Sequence, residues 1–209
     1  MADDLVFYTN PMSRGRIVRW MLEEVGQPYR TELLDYGTTM KAPAYLAINP
    51  MGKVPAIRHG EAVVTEAGAI CAYLADAFPQ AGLAPPLGDK GRASYFRWMF
   101  YAAGPFEAAV TNRSLGVEVP EERKGMVGYG CFADVMNALE YAVSQSEFVA
   151  GDRFTATDVY FGSSIGWGLM FGSIEKRPAF QDYFARISSR PACVRAREID
   201  DALIAKAQA

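Results

Sequence analysis

A serine stands where a strand-like run of apolar residues gives way to a helical pattern. The run is Leu5-Val6-Phe7-Tyr8, and from Arg14 onward apolar residues recur at helical spacing. Ser13 lies at the junction, where serine commonly caps a helix by accepting an N–H with its oxygen. Because that bond uses a lone pair, the hydroxyl hydrogen stays available to an anion, and the helix start contributes its positive dipole end. This junction is therefore a candidate site for stabilising a negative charge.

Two further segments carry groups that could bind a ligand. Asn49-Pro50-Met51-Gly52 is a strong turn signal that leads into Lys53 and Val54-Pro55. Pro55 holds Val54 in an extended conformation and lacks an N–H, and an ordinary turn proline is the commoner interpretation of such a pair. Glu66 opens a second helical pattern, where a carboxylate is favourable against the helix dipole whether or not it binds anything.

The elements that would position these groups alternate between strands and helices over the first eighty residues. The pattern predicts the order β-α-β-loop-β-β-α, which buries a small mixed sheet between helices. The predicted elements are a strand at residues 5–8, a helix from Arg14 to a C-cap at Gly26, a strand at 29–34, a hairpin of 55–58 with 62–64, and a helix from Glu66 to about Phe78.

Beyond this unit the sequence predicts helices alone. Residues 79–88 are rich in proline and glycine and nearly uncharged, which predicts a linker between domain 1–78 and domain 89–209. Thr155-Ala156-Thr157-Asp158 has the form of a capping box with Asp at its fourth position. The other predicted helices cover residues 90–113 with a kink at Pro105, residues 121–146, residues 179–189 and a segment from about Ala192.

Composition excludes several classes of protein. Half of the 209 residues are hydrophobic and 22% are charged, as in an ordinary globular protein with a sizeable core. The net charge of -3 offers no global positive field for nucleic acid or anionic lipid. The acidic start Met1-Ala2-Asp3-Asp4 is unlike a secretory signal, and no apolar run approaches the length of a membrane span. Three separated cysteines and one histidine predict a reducing, cytoplasmic setting and no metal.

Four segments in this order resemble the glutathione transferases, and the resemblance spans both predicted domains. Within the family, the chain most resembles the bacterial and theta-like cytosolic branches, which use serine or cysteine, and Ser13 points to the serine type. The resembling segments are the strand-to-helix junction Phe7 to Arg16, the NPxGxVP-like Asn49 to Ile57, the (S/T)ES-x-AI-like Thr65 to Ile70, and the buried capping box Phe154 to Asp158.

The resemblance implies a thioredoxin-like α/β N-terminal domain that binds glutathione and an all-α C-terminal domain that lines an electrophile pocket. It implies attack by the glutathione thiolate on a hydrophobic electrophile, with Ser13 donating its hydroxyl hydrogen to the sulfur. Lowering an ordinary thiol pKa of about 8.5 by about two units would need roughly 2.7 kcal/mol of preferential anion stabilisation. Tyr8 and Asn10 are rivals to Ser13, but Tyr8 stands three residues before Pro11, which is too early for this role and favours core packing or pocket lining.

Other residues take their expected roles from the same resemblance. Val54 would pair its backbone with the cysteinyl part of glutathione beside a cis Pro55, and Lys53 would face the glycine carboxylate or remain an ordinary solvated lysine. Glu66 would receive the γ-glutamyl ammonium. The family usually has serine next, but this chain has Ala67, so only a backbone N–H remains there. The candidates for the electrophile pocket are Pro11, Met12, Tyr101, Phe106, Trp167, Met170 and Phe171.

Alternatives of other classes stay open at this point. The same site supports glutathione-dependent peroxidase, isomerase or dehalogenase chemistry, and the same scaffold supports a non-catalytic binding protein. Thiol–disulfide exchange is disfavoured because Ser13 cannot form a mixed disulfide. The resemblance also implies a homodimer with a detoxification role, glutathione as co-substrate and no metal, membrane or nucleic-acid partner.

Overall fold

The computed structural model describes residues 4–208, so the start of the acidic N-terminus and Ala209 lie outside it. A four-stranded mixed sheet forms the centre of the first unit, in the order β2-β1-β3-β4. Strand β1 pairs parallel with β2 and antiparallel with β3, which pairs antiparallel with β4. The strands are β1 (Leu5–Thr9), β2 (Arg30–Leu33), β3 (Ala56–His59) and β4 (Ala62–Thr65).

Three helices accompany this sheet: α1 (Gly15–Val25), α2 (Pro43–Leu46) and α3 (Ala67–Ala77). Helix α1 buries an apolar stripe that includes Ile17, Val18 and Met21, and it ends at Gly26 in the left-handed region (φ 70°), as its sequence predicts. The short α2 has no counterpart in the sequence prediction. It begins at Pro43, whose fixed φ suits a first helical position.

The second unit, Ala84–Ser188, contains only helices among its regular elements apart from an isolated bridge between Phe148 and Gly151. Its helices are α4 (Arg92–Tyr101), α5 (Glu107–Ser114), α6 (Phe132–Ser144), α7 (Ala156–Phe171) and α8 (Pro178–Ser188). A wide, π-helical turn at Ala102–Phe106 joins α4 to α5 and contains Pro105, which fits the predicted kink. The α/β plus all-α fold predicted from the sequence is confirmed.

The predicted helix over residues 121–146 was wrong in its first half. Only a 3-10 turn forms at Glu121–Arg123, and α6 begins at Phe132. Three glycines fall between them, at residues 125, 128 and 130, and Gly130 adopts φ 67°. Glycine in a helix interior costs roughly 1 kcal/mol relative to alanine, so three in six residues disfavour a helix there.

The capping box that opens α7 lies in the core of the second unit. Asp158 Oδ2 accepts from the Thr155 N–H at 2.9 Å, and its Oδ1 accepts from the Val149 N–H and the Tyr183 hydroxyl, each at 2.9 Å. The Thr157 N–H donates to Thr155 Oγ1 at 3.3 Å. Burial raises the pKa of Asp158 while these hydrogen bonds oppose the shift. The capping box therefore satisfies buried N–H groups at the start of α7 with side chains of the protein.

The last helix, α9 (Pro191–Gln208), groups with the sheet unit. The sequence predicts one helical domain over residues 89–209, and among the described residues the structure groups 4–83 with 189–208 in one compact unit. Ion pairs join α9 to α1 within this unit, including the buried pair Arg19–Asp200. Within residues 4–208 no helix combines the length and the apolar character that crossing a membrane requires.

Candidate active site

Strand register brings three of the predicted site segments to one edge of the sheet. Tyr8 pairs with Ala56, and Ala56 pairs with Thr65. Neighbouring antiparallel strands run in opposite directions, so the end of β1, the start of β3 and the end of β4 lie side by side. Ser13 follows the first of these ends, Val54-Pro55 precedes the second, and Glu66 follows the third. The sheet thus collects these groups from distant parts of the chain.

The loop between β1 and α1 is organised by Asn10. Its side-chain Nδ2 donates to the Leu34 carbonyl at 2.8 Å, and its Oδ1 accepts from the Met12 N–H at 3.0 Å. Both ends of the Asn10 amide are thus used by backbone groups, which ties the loop to the segment after β2. The rival catalytic residue suggested by sequence serves here as a loop organiser.

Ser13 lies on this loop with its hydroxyl engaged on both sides. Its Oγ accepts from the Gly15 N–H at 2.9 Å, so it caps the start of α1, as expected for a serine at this position. The hydroxyl also donates to the Asn10 carbonyl at 2.6 Å. The sequence analysis expected this hydrogen to be free for an anion. The structure corrects that expectation, since the hydrogen must leave the Asn10 carbonyl before it can serve a bound anion.

Gly15 allows this close packing at the helix start. A Cβ atom at position 15 would overlap the Thr9 hydroxyl oxygen and come within 3.0 Å of Ser13 Oγ. Thr9 is fully buried, so it offers no room for an added methyl group. The strand end and the helix start therefore approach each other closely only because residue 15 is glycine.

The loop before β3 is held by two side chains that share one acceptor. The Lys53 carbonyl accepts from the Tyr45 hydroxyl at 2.7 Å and from Asn49 Nδ2 at 2.8 Å. The Val54–Pro55 peptide bond is cis, as the family resemblance implied. The ring of Tyr45 also packs against Tyr8, with centroids 5.7 Å apart. Tyr8 is thus part of a buried cluster that supports the loop.

A second lysine near this loop was missed by the sequence analysis. Lys41 Nζ donates to the Met51 carbonyl at 2.9 Å, and both Lys41 and Lys53 are exposed. Its neighbour Met40 is buried among Tyr8 and Tyr45, so Met40 offers no polar contact here. The sequence offers one indication of this role, since Lys41 follows the irregular stretch at residues 37–39. Lys41 and Lys53 are twelve residues apart in the chain, however, so the sequence does not show that they lie near the same loop.

The start of α3 combines an unusual backbone with an uncapped helix end. Glu66 adopts φ 66° and ψ 119°, and it is the one non-glycine residue with positive φ among those described. No described side chain caps this helix start. Ala67 is buried at the first helical position, while the Glu66 side chain is exposed. A carboxylate and a set of helix-start N–H groups therefore lie together, and such a pair suits a ligand that carries both charges.

The remaining predicted site residues differ in exposure. Met12, on the loop of the first unit, is 71% exposed, and Met170 and Phe171, at the end of α7, are 67% and 75% exposed. Phe106 is buried against Phe161 inside the helical unit, which makes it a core residue. The half-buried side chains in this group are Pro11, Tyr101 and Trp167.

Tyr101 has a distinctive electrostatic environment within the helical unit. Burial, assisted by the Asp134 carboxylate and opposed by the Arg97 guanidinium, raises the pKa of Tyr101 to about 12. Its phenol therefore stays protonated at neutral pH and remains a hydrogen-bond donor.

Among the described residues no group of three or more His, Cys, Asp and Glu side chains could hold a metal ion.

Two family models match the chain. The model for the glutathione S-transferase N-terminal domain covers residues 12–77, and the model for the glutathione S-transferase C-terminal domain covers residues 132–191. The chain is 31% identical over 170 residues to glutathione S-transferase GstA of Escherichia coli O157:H7, a match that spans 78% of each chain. This chain belongs to the glutathione S-transferase family. The enzyme class and the family that the sequence motifs predicted are confirmed.

Solved structures of glutathione transferases share the fold over nearly the whole chain. A glutathione transferase from Methylococcus capsulatus matches with a TM-score of 0.78 and 27% identity, covering 95% of this chain and 99% of its own. A sphingomonad glutathione S-transferase complexed with glutathione matches with a TM-score of 0.74 and 27% identity, covering 94% of this chain and 98% of its own. The family is therefore supported by sequence and by fold, and some of its structurally similar members bind glutathione.

Proposed function

We propose that this glutathione S-transferase family member is a serine-type transferase that conjugates glutathione to hydrophobic electrophiles. The observation that carries the proposal is the meeting of three segments at one sheet edge: the Ser13 loop, the Val54-Pro55 segment and the uncapped start of α3. Each segment offers the kind of group that one part of the tripeptide needs. The motif resemblance and the glutathione-bound structural neighbours support the same assignment.

Each part of glutathione has a proposed partner. The helix-start N–H groups at Ala67 bind the γ-glutamyl carboxylate and Glu66 binds its ammonium. The backbone of Val54 pairs with the cysteinyl part, since the β-ladder itself begins one residue after the cis proline, at Ala56. Lys53, and Lys41 beside it, are the cations for the glycine carboxylate. The loss of a hydroxyl at position 67 makes this binding weaker than in relatives that have serine there.

Ser13 stabilises the thiolate by exchanging one hydrogen bond for another. In the structure its hydroxyl donates to the Asn10 carbonyl. When a thiolate approaches, the hydrogen turns to the sulfur, because hydrogen bonds to charged acceptors are roughly twice as strong as those to neutral ones. Its bond from the Gly15 N–H is retained, so the oxygen stays in place while its hydrogen changes partner. The positive end of α1 adds to the stabilisation.

The electrophile is hydrophobic on this proposal. Each unit carries exposed apolar side chains from the predicted set: Met12 in the sheet unit, and Met170 and Phe171 in the helical unit. Within the helical unit, half-buried Tyr101 keeps a protonated hydroxyl that can donate to a polar atom. A homodimer in the cytoplasm with a detoxification role completes the proposal. Gel filtration at about twice the 22.9 kDa chain mass would support the dimer, and elution as a monomer would contradict it.

A non-catalytic glutathione-binding protein is the second candidate. The observation that favours it is the Ser13 hydroxyl bonded at 2.6 Å to the Asn10 carbonyl, because a hydrogen that stays there activates no thiol. Peroxidase, isomerase or dehalogenase chemistry would use the same activated thiolate and remains a variant of the leading proposal.

The deciding experiment combines binding with turnover. Calorimetric titration with glutathione is followed by conjugation of chloro-dinitrobenzene by the wild type, Ser13→Ala and Ser13→Thr. We expect Ser13→Ala to lower kcat/KM about 10- to 100-fold, because a donor to a developing charge is lost, and Ser13→Thr to retain most of it. Binding without turnover, or equal turnover in the wild type and Ser13→Ala, would overturn the serine mechanism. An absence of glutathione binding would overturn the transferase proposal itself.

A further inference from the structure

Two consecutive aspartates of α9 pair with two arginines of α1. Asp200 Oδ1 accepts from Arg19 Nε at 3.1 Å, and Asp201 Oδ1 accepts from Arg16 Nη2 at 2.6 Å. Arg16 and Arg19 are three residues apart, so they project from the same side of α1. The two pairs differ in burial: Arg19 and Asp200 are only 2% and 1% exposed, whereas Arg16 and Asp201 are 27% and 58% exposed.

The buried pair holds α9 to the sheet unit. Arg19 Nη1 donates to the Tyr29 hydroxyl at 3.1 Å and to Thr31 Oγ1 at 2.9 Å, and the guanidinium lies over the Phe7 ring at 5.0 Å. Phe7 belongs to the core of the unit, and Tyr29 and Thr31 are half-buried. These contacts join α9 to the sheet unit, and none of them involves the Ser13 loop.

The partly exposed pair reaches that loop. Arg16 Nη1 donates to the Pro11 carbonyl at 3.4 Å while Nη2 of the same guanidinium is held by Asp201. Pro11 lies two residues before Ser13, on the loop whose far end is held by Asn10. Because the guanidinium is planar and rigid, fixing one of its nitrogens also fixes the direction of the other. Asp201 thus sets where Arg16 meets the loop.

We propose that Arg16 is a positioning residue for the Ser13 loop and that Asp201 of α9 aligns it. The C-terminal helix thereby contributes to the geometry of thiolate stabilisation. This inference rests on the proposed function, since it assigns a support to the same serine. A cation in the first turn of a helix is unfavourable against the helix dipole. The Asp201 carboxylate offsets that cost and keeps Arg16 against the loop rather than in solvent.

An exposed ion pair contributes little to folding stability, so removing it can change activity without unfolding the protein. The chain offers a matched control in Arg195, which pairs α9 with Glu23 near the other end of α1 at 3.4 Å. Arg195→Gln removes an α1–α9 ion pair without touching the loop. Arg16→Gln removes the support itself, Arg16→Lys keeps the charge without the planar fork, and Asp201→Asn and Asp201→Glu remove and restore the aligning carboxylate.

The experiment measures kcat and KM for glutathione, together with the midpoint of thermal unfolding, in all five variants. We expect Arg16→Gln and Arg16→Lys to lower kcat/KM about fivefold, Asp201→Asn about threefold, and Asp201→Glu to recover most of the wild-type value, with unfolding midpoints close to the wild type. Arg195→Gln keeps the wild-type kinetics. Equal kinetics in Arg16→Gln and Arg195→Gln would overturn the proposal, as would full activity in Arg16→Lys. If Arg16→Gln fails to fold, the Asp201→Asn and Asp201→Glu pair decides, and unchanged kinetics in Asp201→Asn counts against the proposal.

Amide hydrogen exchange separates this inference from the function on which it rests. If the wild type neither binds nor turns over glutathione, the proposed function fails, and the loop is then followed directly. Faster exchange of the Met12 and Ser13 amides in Arg16→Gln than in Arg195→Gln would confirm that Arg16 positions the Ser13 loop. Equal exchange in the two variants would overturn it regardless of activity.

Discussion

Helix α7 begins inside the helical unit with its first turn closed by its own side chains, whereas helix α3 begins at the sheet edge without a side-chain cap. At α7 the Thr155 and Asp158 side chains satisfy backbone donors in the core. At α3 the residue before the helix, Glu66, is held at a positive φ. Buried donors that are closed internally serve folding, while a strained backbone beside open donors is typical of functional sites.

Helix α1 is intermediate between these two. Ser13 caps the Gly15 N–H like a folding residue, yet its hydroxyl hydrogen rests on a neutral carbonyl that a charged acceptor can replace. The comparison therefore predicts that changes at α7 alter stability alone. Changes at the sheet edge should alter glutathione affinity, with smaller or opposite effects on stability.

The largest expected effect is at α7. Asp158→Ala removes the acceptor of two backbone N–H groups and of the Tyr183 hydroxyl, all buried. We expect a loss of about 4 kcal/mol or more in the free energy of unfolding, because each orphaned donor costs roughly 1–3 kcal/mol. Urea denaturation measures it. Thr155→Ser keeps the capping hydroxyl and should cost far less, and equal losses in the two variants would contradict the capping-box account.

Gly15→Ala tests the close approach at the start of α1. The added methyl group would overlap the Thr9 hydroxyl, so we expect a loss of about 2–3 kcal/mol and weaker glutathione binding. Gly104→Ala is the control, because a Cβ atom at position 104 meets no atom within 4 Å and the backbone there has ordinary φ. Equal urea midpoints for these two variants would show that the packing at residue 15 is unimportant.

Glu66 allows strain and ligand binding to be measured separately. Both Glu66→Gly and Glu66→Ala lose the carboxylate, and we expect glutathione affinity to fall roughly tenfold in each. Glycine tolerates positive φ, so Glu66→Gly should be more stable than Glu66→Ala by about 1 kcal/mol. Calorimetry measures the glutathione affinity, and urea denaturation measures the free energy of unfolding. Unchanged affinity in both variants would remove Glu66 from the proposed site.

The smallest expected effect is at Ala67. Ala67→Ser restores the hydroxyl that the family usually has at this helix start, and we expect glutathione affinity to rise about threefold, the value of one modest hydrogen bond. Calorimetric titration against the wild type measures it. Weaker binding in Ala67→Ser would indicate that the γ-glutamyl carboxylate is bound elsewhere.

Local signals in the sequence predicted the elements that are decided by neighbouring residues. Gly26 ends α1, Pro105 coincides with the wide turn between α4 and α5, and Thr155 opens α7. The prediction was wrong over residues 121–131, where three glycines disfavour a helix. Periodicity indicates which face of a helix would be buried, but it does not show whether the backbone can stay helical.

Local sequence signals do not predict contacts between segments that are distant in the chain. The Lys41 ammonium donates to the Met51 carbonyl beside the loop of Lys53, and Asp200 of α9 pairs with the buried Arg19 of α1. Neither pairing has a local pattern. Both depend on which charged groups the fold brings within hydrogen-bonding distance.

The sequence by itself determined the family, the order of the elements and the residue types present at each helix start, because these follow from short-range propensity and from motifs that are continuous in the chain. Only the tertiary structure decided that the Ser13 hydrogen lies on the Asn10 carbonyl, that Glu66 takes a positive φ, and that the C-terminal helix belongs with the sheet. These features arise when strand pairing and helix packing bring separate segments together, where hydrogen bonds and ion pairs depend on distance in space rather than along the chain.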